Sequence, residues 1–119
     1  YSTAVSKPTM TDVTISLSGG ARNHGITSVN SQPTLVNVTV SVSGATILNR
    51  ALDSAGVSLV TVRNSTISAS GIAALAIAND ALSIVRVATS MLDGSSSGGT
   101  TTCAGVYNGS FTFFASTCP

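Results

Sequence analysis

An internal repeat of about 25 residues is the feature that most constrains how this chain can fold. Residues 8–19 read PTMTDVTISLSG, and residues 33–44 read PTLVNVTVSVSG, which is nearly the same sequence. A looser third copy occupies residues 62–71. One polar residue precedes the β-rich part of each copy, and these residues fall 25, 27 and 25 positions apart, at Asp12, Asn37, Asn64 and Thr89. A regular period of this length is typical of proteins in which each repeat stacks on the one before.

Within each copy, apolar and polar residues alternate with a period of two, which predicts a half-buried β-strand and not a helix. The residues expected to point inward, one above another, are Ile15, Val40, Ile67 and Leu92. Each copy has room for three short strands, and no hairpin signals separate them. Coiling the chain pairs each strand in parallel with its equivalent, about 4.8 Å away. The sequence therefore predicts an all-β parallel β-helix, or solenoid, of about four coils.

The repeated polar residues predict a corner in every coil. Asparagine tolerates the left-handed backbone that a tight corner demands, and stacked asparagine side chains can hydrogen-bond along the column. Asp12, Asn37 and Asn64 are expected to form this structural ladder, from which Thr89 departs.

The composition changes after Gly94, which divides the chain into expected coils at residues 1–94 and an expected C-terminal cap at residues 95–119. Residues 95–99 are all serine or glycine and predict a flexible connector. Four of the five aromatic residues then follow between positions 107 and 114. Because the last coil of a solenoid exposes unpaired strands and an open core, the phenylalanines are expected to plug that end.

Two cysteines, Cys103 and Cys118, lie fifteen residues apart in this last segment. Their placement favours a disulfide that fastens the cap, which would contribute about 3 kcal/mol by restricting the unfolded chain. Two unpaired buried thiols are the alternative. If the bridge forms, an oxidising, extracellular setting follows.

The composition restricts the classes of partner. Only 8% of the residues are charged, against about 25% in an average globular chain, so Ser, Thr and Asn must cover most of the surface. The net charge is +1 and no basic cluster is present, so nucleic-acid binding is not expected. No apolar run approaches the eighteen or so residues of a membrane span, so membrane insertion is not expected either.

Residues 72–78 are apolar on both faces of the predicted strand, because Ile72, Leu75 and Ile77 alternate only with alanine. A strand with one face in water would carry polar residues on that face. We therefore expect this side of the solenoid to pack against other copies of the chain. The alternative is that alanine simply tolerates partial exposure.

Two features carry a resemblance to a known group of proteins: the ladder positions Asp12, Asn37 and Asn64, and the terminal segment from Cys103 to Cys118. In these features the chain resembles right-handed parallel β-helix repeat proteins, the pectin-lyase-like and phage-tailspike-like group. Most of the chain takes part in this resemblance. It implies a right-handed coil, a parallel homotrimer and an extracellular, cell-surface or virion location. It also implies polysaccharide as a partner and, for part of the group, lyase or hydrolase activity.

Asp53 and Asp80 are the acids to consider for catalysis, since they recur 27 residues apart at what reads as one bend. Glycoside hydrolysis needs two carboxyl groups across a sugar, but aspartate at a bend is also ordinary turn chemistry. Arg22, His24 and Arg50 are expected to form a small polar patch that either contacts acidic sugars or is simply solvated. The single histidine leaves no multi-histidine metal site within one chain, and no metal or cofactor is expected.

A Thr-x-Ser-x-Ser pattern recurs in three copies, beginning at Thr14, Thr39 and, with alanine between its serines, Thr66. Such hydroxyl arrays resemble those of ice-binding proteins and also suit sugar contacts, although exposed strands use these residue types anyway. The leading hypothesis is a non-catalytic structural and trimerisation module of a larger extracellular or phage-tail-like protein, with glycan contact. The alternatives are a fragment of a polysaccharide-degrading lyase or hydrolase and, after it, an ice-binding surface.

Overall fold

Three parallel β-sheets run along the molecule, and each turn of the chain contributes one strand to each of them. The computed structural model describes residues 5–119. In that range the regular structure is all β, with no helix and hence none that could span a membrane. The predicted all-β parallel solenoid is confirmed.

The strands follow one another turn by turn. The first turn contains β1 (Thr9–Thr11), β2 (Thr14–Ser18) and β3 (Arg22–Val29). The second contains β4 (Thr34–Val36), β5 (Thr39–Ser43) and β6 (Leu48–Ala55), and the third contains β7 (Leu59–Arg63), β8 (Thr66–Ala69) and β9 (Ala74–Asn79). The chain continues through β10 (Ile84–Ala88), β11 (Met91–Asp93), β12 (Ser95–Ser97), β13 (Thr100–Ala104), β14 (Val106–Tyr107) and β15 (Phe113–Phe114).

Equivalent strands pair in parallel, one turn above the next. Sheet 1 has the order β1-β4-β7-β10-β13, and sheet 3 has the order β12-β9-β6-β3. Sheet 2 has the order β15-β14-β11-β8-β5-β2, with β15 antiparallel to β14. Within sheet 2 the predicted inward column is confirmed, because Ile15 pairs with Val40, Val40 with Ile67, and Ile67 with Leu92.

The number of turns differs from the expected four. From Asp12 to Thr89 the chain completes three full-length turns, but the next return to the same corner, at Gly105, is much shorter. The shortening lies in the third sheet, where β12 has three residues while β3 and β6 have eight each. The solenoid therefore has about three full turns and a contracted last one.

The corner between sheets 1 and 2, hereafter the Asn corner, consists of four stacked residues with positive φ: Asp12 (57°), Asn37 (54°), Asn64 (49°) and Thr89 (48°). Asn37 Nδ2 donates to Asp12 Oδ1 at 2.5 Å, and Thr89 Oγ1 donates to Asn64 Oδ1 at 2.6 Å. The expectation that Thr89 departs from the ladder is therefore wrong. Its hydroxyl replaces the amide as donor, and its backbone takes the same left-handed conformation that favours asparagine at the other positions.

A second asparagine column lies inside the solenoid, at the start of sheet 3. Asn49 is fully buried, and its Oδ1 accepts from Asn23 Nδ2 and from the Ala45 N–H, each at 3.1 Å. Its Nδ2 donates to the Ile72 carbonyl oxygen at 3.1 Å. This column therefore satisfies backbone groups of the second and third turns where the chain bends from sheet 2 into sheet 3.

The C-terminal segment continues the stack before it closes it. Residues 95–97, expected to be part of a flexible connector, form β12, which pairs in parallel with β9. The tight corner after it needs glycine, because a Cβ at Gly98 would overlap the carbonyl oxygen of Asn79. Only after β14 does the chain reverse, when β15 pairs antiparallel to β14. The segment at 95–119 is thus first coil and then cap.

The predicted disulfide between Cys103 and Cys118 is confirmed, with a Cα–Cα distance of 5.1 Å. Cys103 is buried in β13 as the last member of the inward column of sheet 1. Cys118 packs against the same core from the end of the chain. The bridge therefore ties the cap to the last strand of sheet 1.

The apolar residues of β9 divide between the two faces. Ile77 is fully buried in the core. It therefore lies on the inner face of the strand, contrary to the expectation that it contributes to an apolar outer face. Leu75 points outward in register with Arg50 and is half-buried, and Ile72 is exposed at the preceding corner. Together with Ile47 and Leu48 one turn earlier, these two residues form the apolar patch of sheet 3.

Candidate ligand-binding surfaces

A groove of about 810 Å³ lies beside the cap, hereafter the cap groove. Three of the five aromatic residues of the chain line it, and their side chains remain solvent-accessible: Tyr107 (44% exposed), Phe113 (55%) and Phe111 (75%). The expectation that the phenylalanines plug the end of the core is wrong for Phe111 and Phe113. Val106 and the disulfide close the core instead, which leaves the aromatic rings on the surface.

Strand register explains how the rings come together. The outer column of sheet 2 runs from Thr66 to Met91 and then to Tyr107. Because β15 returns antiparallel, Phe113 pairs with Tyr107, and their ring centroids lie 5.1 Å apart. A column of hydroxyl side chains therefore ends in a wall of thioether and aromatic groups.

A hydrogen-bonded turn presents the third ring. Asn108 Oδ1 accepts from the backbone N–H groups of Ser110 and Thr112, at 2.9 and 3.0 Å. This turn holds Phe111 in a left-handed conformation (φ 60°) with its side chain in solvent. The Phe111 N–H also donates to the Asn108 carbonyl oxygen at 3.0 Å, so the hydrogen bonds of the turn maintain a conformation that leaves the Phe111 ring exposed beside the groove.

The other wall of the cap groove is polar and uncharged. It comes from the Asn corner and the residues that follow it, chiefly Asn64, Thr66 and Thr89. Amide and hydroxyl groups facing aromatic rings form a site with both hydrogen-bonding and apolar character. A pyranose ring has that same division, since its hydroxyl groups project around an apolar C–H face.

The hydroxyl pattern of the sequence forms a regular array on the outer face of sheet 2. Threonines from three adjacent strands lie in one column, and serines lie in the next: Thr14, Thr39 and Thr66, then Ser16, Ser41 and Ser68. These residues are exposed or half-buried. Strand geometry spaces such side chains by about 4.8 Å between strands and about 6.7 Å along them.

The structure unites part of the predicted polar patch with one of the predicted acids on sheet 3. Asp53 Oδ2 lies 3.0 Å from His24 Nδ1 and 3.2 Å from Arg50 Nη1. His24 and Arg50 are in direct register on β3 and β6. Arg22 lies two residues before His24 on the same strand, and it makes no ion pair within residues 5–119.

Asp53 and Asp80 do not occupy equivalent positions, contrary to the sequence alignment. The register of β6 and β9 pairs Asp53 with Ala78, which places Asp80 two residues beyond it, in the corner. Both residues nevertheless line one groove of about 290 Å³. The spacing of 27 residues does not place the two aspartates at equivalent positions, because the corners differ in length while the strands stay in register.

Asp80 has a structural role in its corner. Its Oδ2 accepts from the Gly56 N–H at 2.6 Å, and its Oδ1 accepts from the Leu82 N–H at 3.1 Å. Hydrogen bonding by Ser83, and then by the N–H groups of Gly56 and Leu82, lowers the pKa of Asp80 below its ordinary value of 3.8. A carboxylate occupied in this way suits neither a general acid, which needs a raised pKa, nor a free nucleophile.

Metal binding has no support in the part of the chain that the structure describes. No three His, Cys, Asp or Glu side chains between residues 5 and 119 lie close enough to hold one ion.

The cap groove is a surface that the sequence did not predict as a binding site. Its signal was the concentration of four aromatic residues in eight positions of a chain that has five.

No protein-family model matches this sequence, and neither curated proteins nor solved structures give a significant match. The stacked parallel sheets and the sequence repeat support the resemblance to parallel β-helix repeat proteins at the level of the fold.

Proposed function

We propose that this chain is a non-catalytic, self-associating β-helix module of a larger extracellular, cell-surface or virion protein, and that its cap groove contacts glycans. The observation that carries the proposal is the exposure of Tyr107, Phe111 and Phe113 around one uncharged groove. Exposed aromatic rings are costly in water, and they cluster at recognition sites where a ligand covers them.

The dimensions and chemistry of the groove support a saccharide ligand. A volume of about 810 Å³ lies within the range of ligand sites and leaves room for several sugar units. The ring faces of Tyr107 and Phe113 suit the apolar face of a pyranose, while Asn64 and Thr89 offer donors and acceptors for its hydroxyl groups. The disulfide is consistent with the extracellular setting in which such ligands occur.

The apolar patch of sheet 3 supports self-association. Ile47 and Ile72 stack at one corner with half of their surface or more exposed, and Leu75 lies beside them. Exposed apolar residues in a contiguous patch favour burial against another surface. A parallel homotrimer would stack three copies of this patch around one axis, and the parallel β-helix topology suits that assembly.

Immobilised polysaccharides of plant, animal and bacterial origin test the glycan proposal, with binding measured by biolayer interferometry. We expect saturable binding to some of them, and a loss of affinity of about tenfold or more when Tyr107→Ser and Phe111→Asn are combined, since stacked aromatic contacts dominate such sites. Asparagine is chosen because it tolerates the left-handed conformation at position 111. Val57→Ser, at an exposed apolar position far from the groove, is the matched control.

The proposal fails if no polysaccharide binds, or if the aromatic variant binds as well as the parent protein while Val57→Ser also has no effect. Far-UV circular dichroism of each variant separates lost binding from lost folding. Binding that falls equally in both variants would point to a general effect on the surface and would also overturn the assignment to the cap groove.

One observation favours the second candidate, a fragment of a polysaccharide-degrading enzyme. Asp53 lies within hydrogen-bonding distance of His24 and shares a groove with Asp80. The two corner hydrogen bonds of Asp80 count against this candidate. Release of unsaturated or reducing sugar ends from a bound polysaccharide, abolished by Asp53→Asn, would establish it in place of the non-catalytic function.

The hydroxyl array of sheet 2 favours a third and weaker candidate, an ice-binding surface. Its columns of threonine and serine stay in register over three strands. The array is interrupted at the fourth strand by Met91 and Asp93, which makes it small for ice recognition. Thermal hysteresis of a concentrated solution distinguishes this candidate from the glycan module.

A further inference from the structure

The outer face of sheet 1 carries two arginines that no ion pair of the described residues uses. Arg63 ends β7, and Arg86 lies in the middle of β10. Both are exposed, and both line one groove of about 300 Å³. They are two of the five basic residues in a chain whose net charge is only +1.

Strand register brings the two guanidinium groups within reach of one ligand. Arg86 pairs with Thr61 on one side and with Thr102 on the other, while Arg63 pairs with Ala88. Arg63 is therefore one strand and two residues away from Arg86, on the same face. With about 4.8 Å between strands and about 3.3 Å per residue, their Cα atoms are roughly 8 Å apart. Two long side chains at that distance can converge on one anion.

The neighbours of the pair leave the groove open. The next position beside Arg63 is Ala88, and Ala104 follows it on β13. Alanine side chains form a low floor there, and the hydroxyl groups of Thr61 and Thr102 flank Arg86. Two guanidinium groups and two hydroxyl groups therefore surround one groove, and all of them can donate hydrogen bonds to a ligand.

No carboxylate competes for the arginines on this face. Asp12 and Asp80 lie in corners, Asp53 lies on sheet 3, and Asp93 lies on sheet 2. The other outward positions of β7, β10 and β13 carry only threonine, alanine, leucine or isoleucine. The only charged side chains on the outer face of these three strands are therefore the two arginines, which favours an anionic ligand.

The groove that Arg63 and Arg86 line, hereafter the anion groove, adjoins the cap groove at the Asn corner. Arg63 directly precedes Asn64, and Ala88 directly precedes Thr89. Asn64 and Thr89 line the cap groove, while Arg63 and Ala88 line the anion groove. One extended ligand that crosses the corner would touch the aromatic rings with one part and the arginines with the next.

We propose that Arg63 and Arg86 bind the carboxylate or sulfate groups of an acidic polysaccharide, whose neighbouring sugar units occupy the cap groove. The inference rests on the proposed glycan function and narrows it from saccharides in general to anionic ones. Arginine suits this role because its planar fork donates two parallel hydrogen bonds to one oxyanion. A single exposed contact of this kind is weak, so tight binding needs a polymer that engages both grooves together.

Nuclear magnetic resonance of the ¹⁵N-labelled protein tests the anion site directly, with the arginine Nε–H signals as reporters. Sodium glucuronate, sodium sulfate and glucose are titrated separately at constant ionic strength. We expect the signals of Arg63 and Arg86 to shift saturably with glucuronate or sulfate and not with glucose, and the comparison of the two anions identifies the preferred group. Arg22, an exposed arginine on sheet 3, is the internal control. Equal shifts at Arg22, or no saturable shift, would overturn the inference.

Matched oligosaccharides connect the site to the polymer. The probes are cellotetraose and its C6-oxidised form, a tetraglucuronate with the same linkage, together with any polysaccharide that the binding assay selects and its carboxyl-reduced or desulfated form. We expect the acidic member of a bound pair to bind about tenfold more tightly, as paired charge-assisted hydrogen bonds allow. Combining Arg63→Gln and Arg86→Gln should reduce the ratio to about one, whereas Arg22→Gln should preserve it.

The two proposals fail in different ways. If the neutral and acidic members bind equally and the aromatic variant abolishes both, the cap groove binds glycans and the anion inference is wrong. If the arginine signals report glucuronate or sulfate but no polysaccharide binds, the anion site exists and the glycan function is wrong. If the double arginine variant keeps the full preference for the acidic member, another surface recognises the negative charge of the ligand, and the inference is again wrong.

Discussion

Asn49 uses the full hydrogen-bonding capacity of its side chain in the interior of the molecule. Its oxygen accepts from Asn23 Nδ2 and the Ala45 N–H, and its nitrogen donates to the carbonyl oxygens of Ile72 and Ala45. Buried polar groups are expensive unless they are paired, and here four pairings satisfy one amide and its neighbours. At the residue scale, this column joins successive turns more firmly than the exposed Asn corner, because solvent competes for the hydrogen bonds of the latter.

Substitution of Asn49 by alanine is expected to lower the free energy of unfolding by about 2–4 kcal/mol, since the Ala45 N–H and the Ile72 carbonyl both lose a buried partner. Asn37→Gly is the matched control, because glycine keeps the positive φ of the corner and removes only an exposed side-chain hydrogen bond. Its expected cost is below about 1 kcal/mol. Chemical denaturation followed by circular dichroism measures both. Equal costs for the two variants would mean that the exposed corner contributes as much as the buried column.

The strands of sheet 2 could be predicted because their sequence alternates, and every second residue enters the core. β12 could not be predicted, because Ser95–Ser97 has no apolar residue to mark a strand. The already formed β9 supplies its pairing partner, and backbone hydrogen bonding to that strand suffices. The concentration of aromatic residues was visible in the sequence, but their arrangement around the cap groove was not, because it depends on the reversal at Asn108 that brings Phe113 beside Tyr107. Elements that depend on a neighbour already in place are not visible in local sequence.

At the scale of elements, the cap depends on a short antiparallel pair. β14 and β15 contain two residues each, and a pair of that length is not stable by itself. The disulfide between Cys103 and Cys118 closes a loop around it, with fifteen residues of sequence separation. The covalent bond therefore holds one aromatic wall of the cap groove in place.

Replacing both cysteines by alanine is expected to lower the free energy of unfolding by about 2–4 kcal/mol, the range for a loop of this length. The near-UV circular dichroism of Tyr107 and the phenylalanines should weaken, while the far-UV signal of the stacked sheets should persist. Reduction of the parent protein with dithiothreitol controls for the loss of the buried Cys103 side chain. The idea that the disulfide holds the cap would be abandoned if reduction left both the stability and the near-UV signal unchanged.

At the scale of the whole molecule, the surfaces differ in chemistry from sheet to sheet. The outer face of sheet 1 is cationic, that of sheet 2 is covered with hydroxyl groups, and sheet 3 combines a polar cluster with the apolar patch. Ligand binding on sheets 1 and 2 and self-association through sheet 3 are therefore compatible. A trimer assembled through sheet 3 would leave the three cap grooves and anion grooves facing outward, where one polymer can engage several of them.

The apolar patch of sheet 3 predicts that the chain self-associates, and the mass of the protein in solution tests this prediction. We expect sedimentation at micromolar concentration to give the mass of a trimer, and the combination of Ile72→Arg with Leu75→Arg to give a monomer. The reason is that three arginine-bearing surfaces cannot be buried around one axis without partners for their charges. Leu82→Arg, at the opposite corner of the sheet, changes a side chain that is 69% exposed and should leave the trimer intact. A monomeric parent protein would contradict self-association, and a trimeric double variant would move the contact to another face. A monomeric Leu82→Arg variant would extend the interface across the whole of sheet 3 and place the cluster of His24, Arg50 and Asp53 inside it.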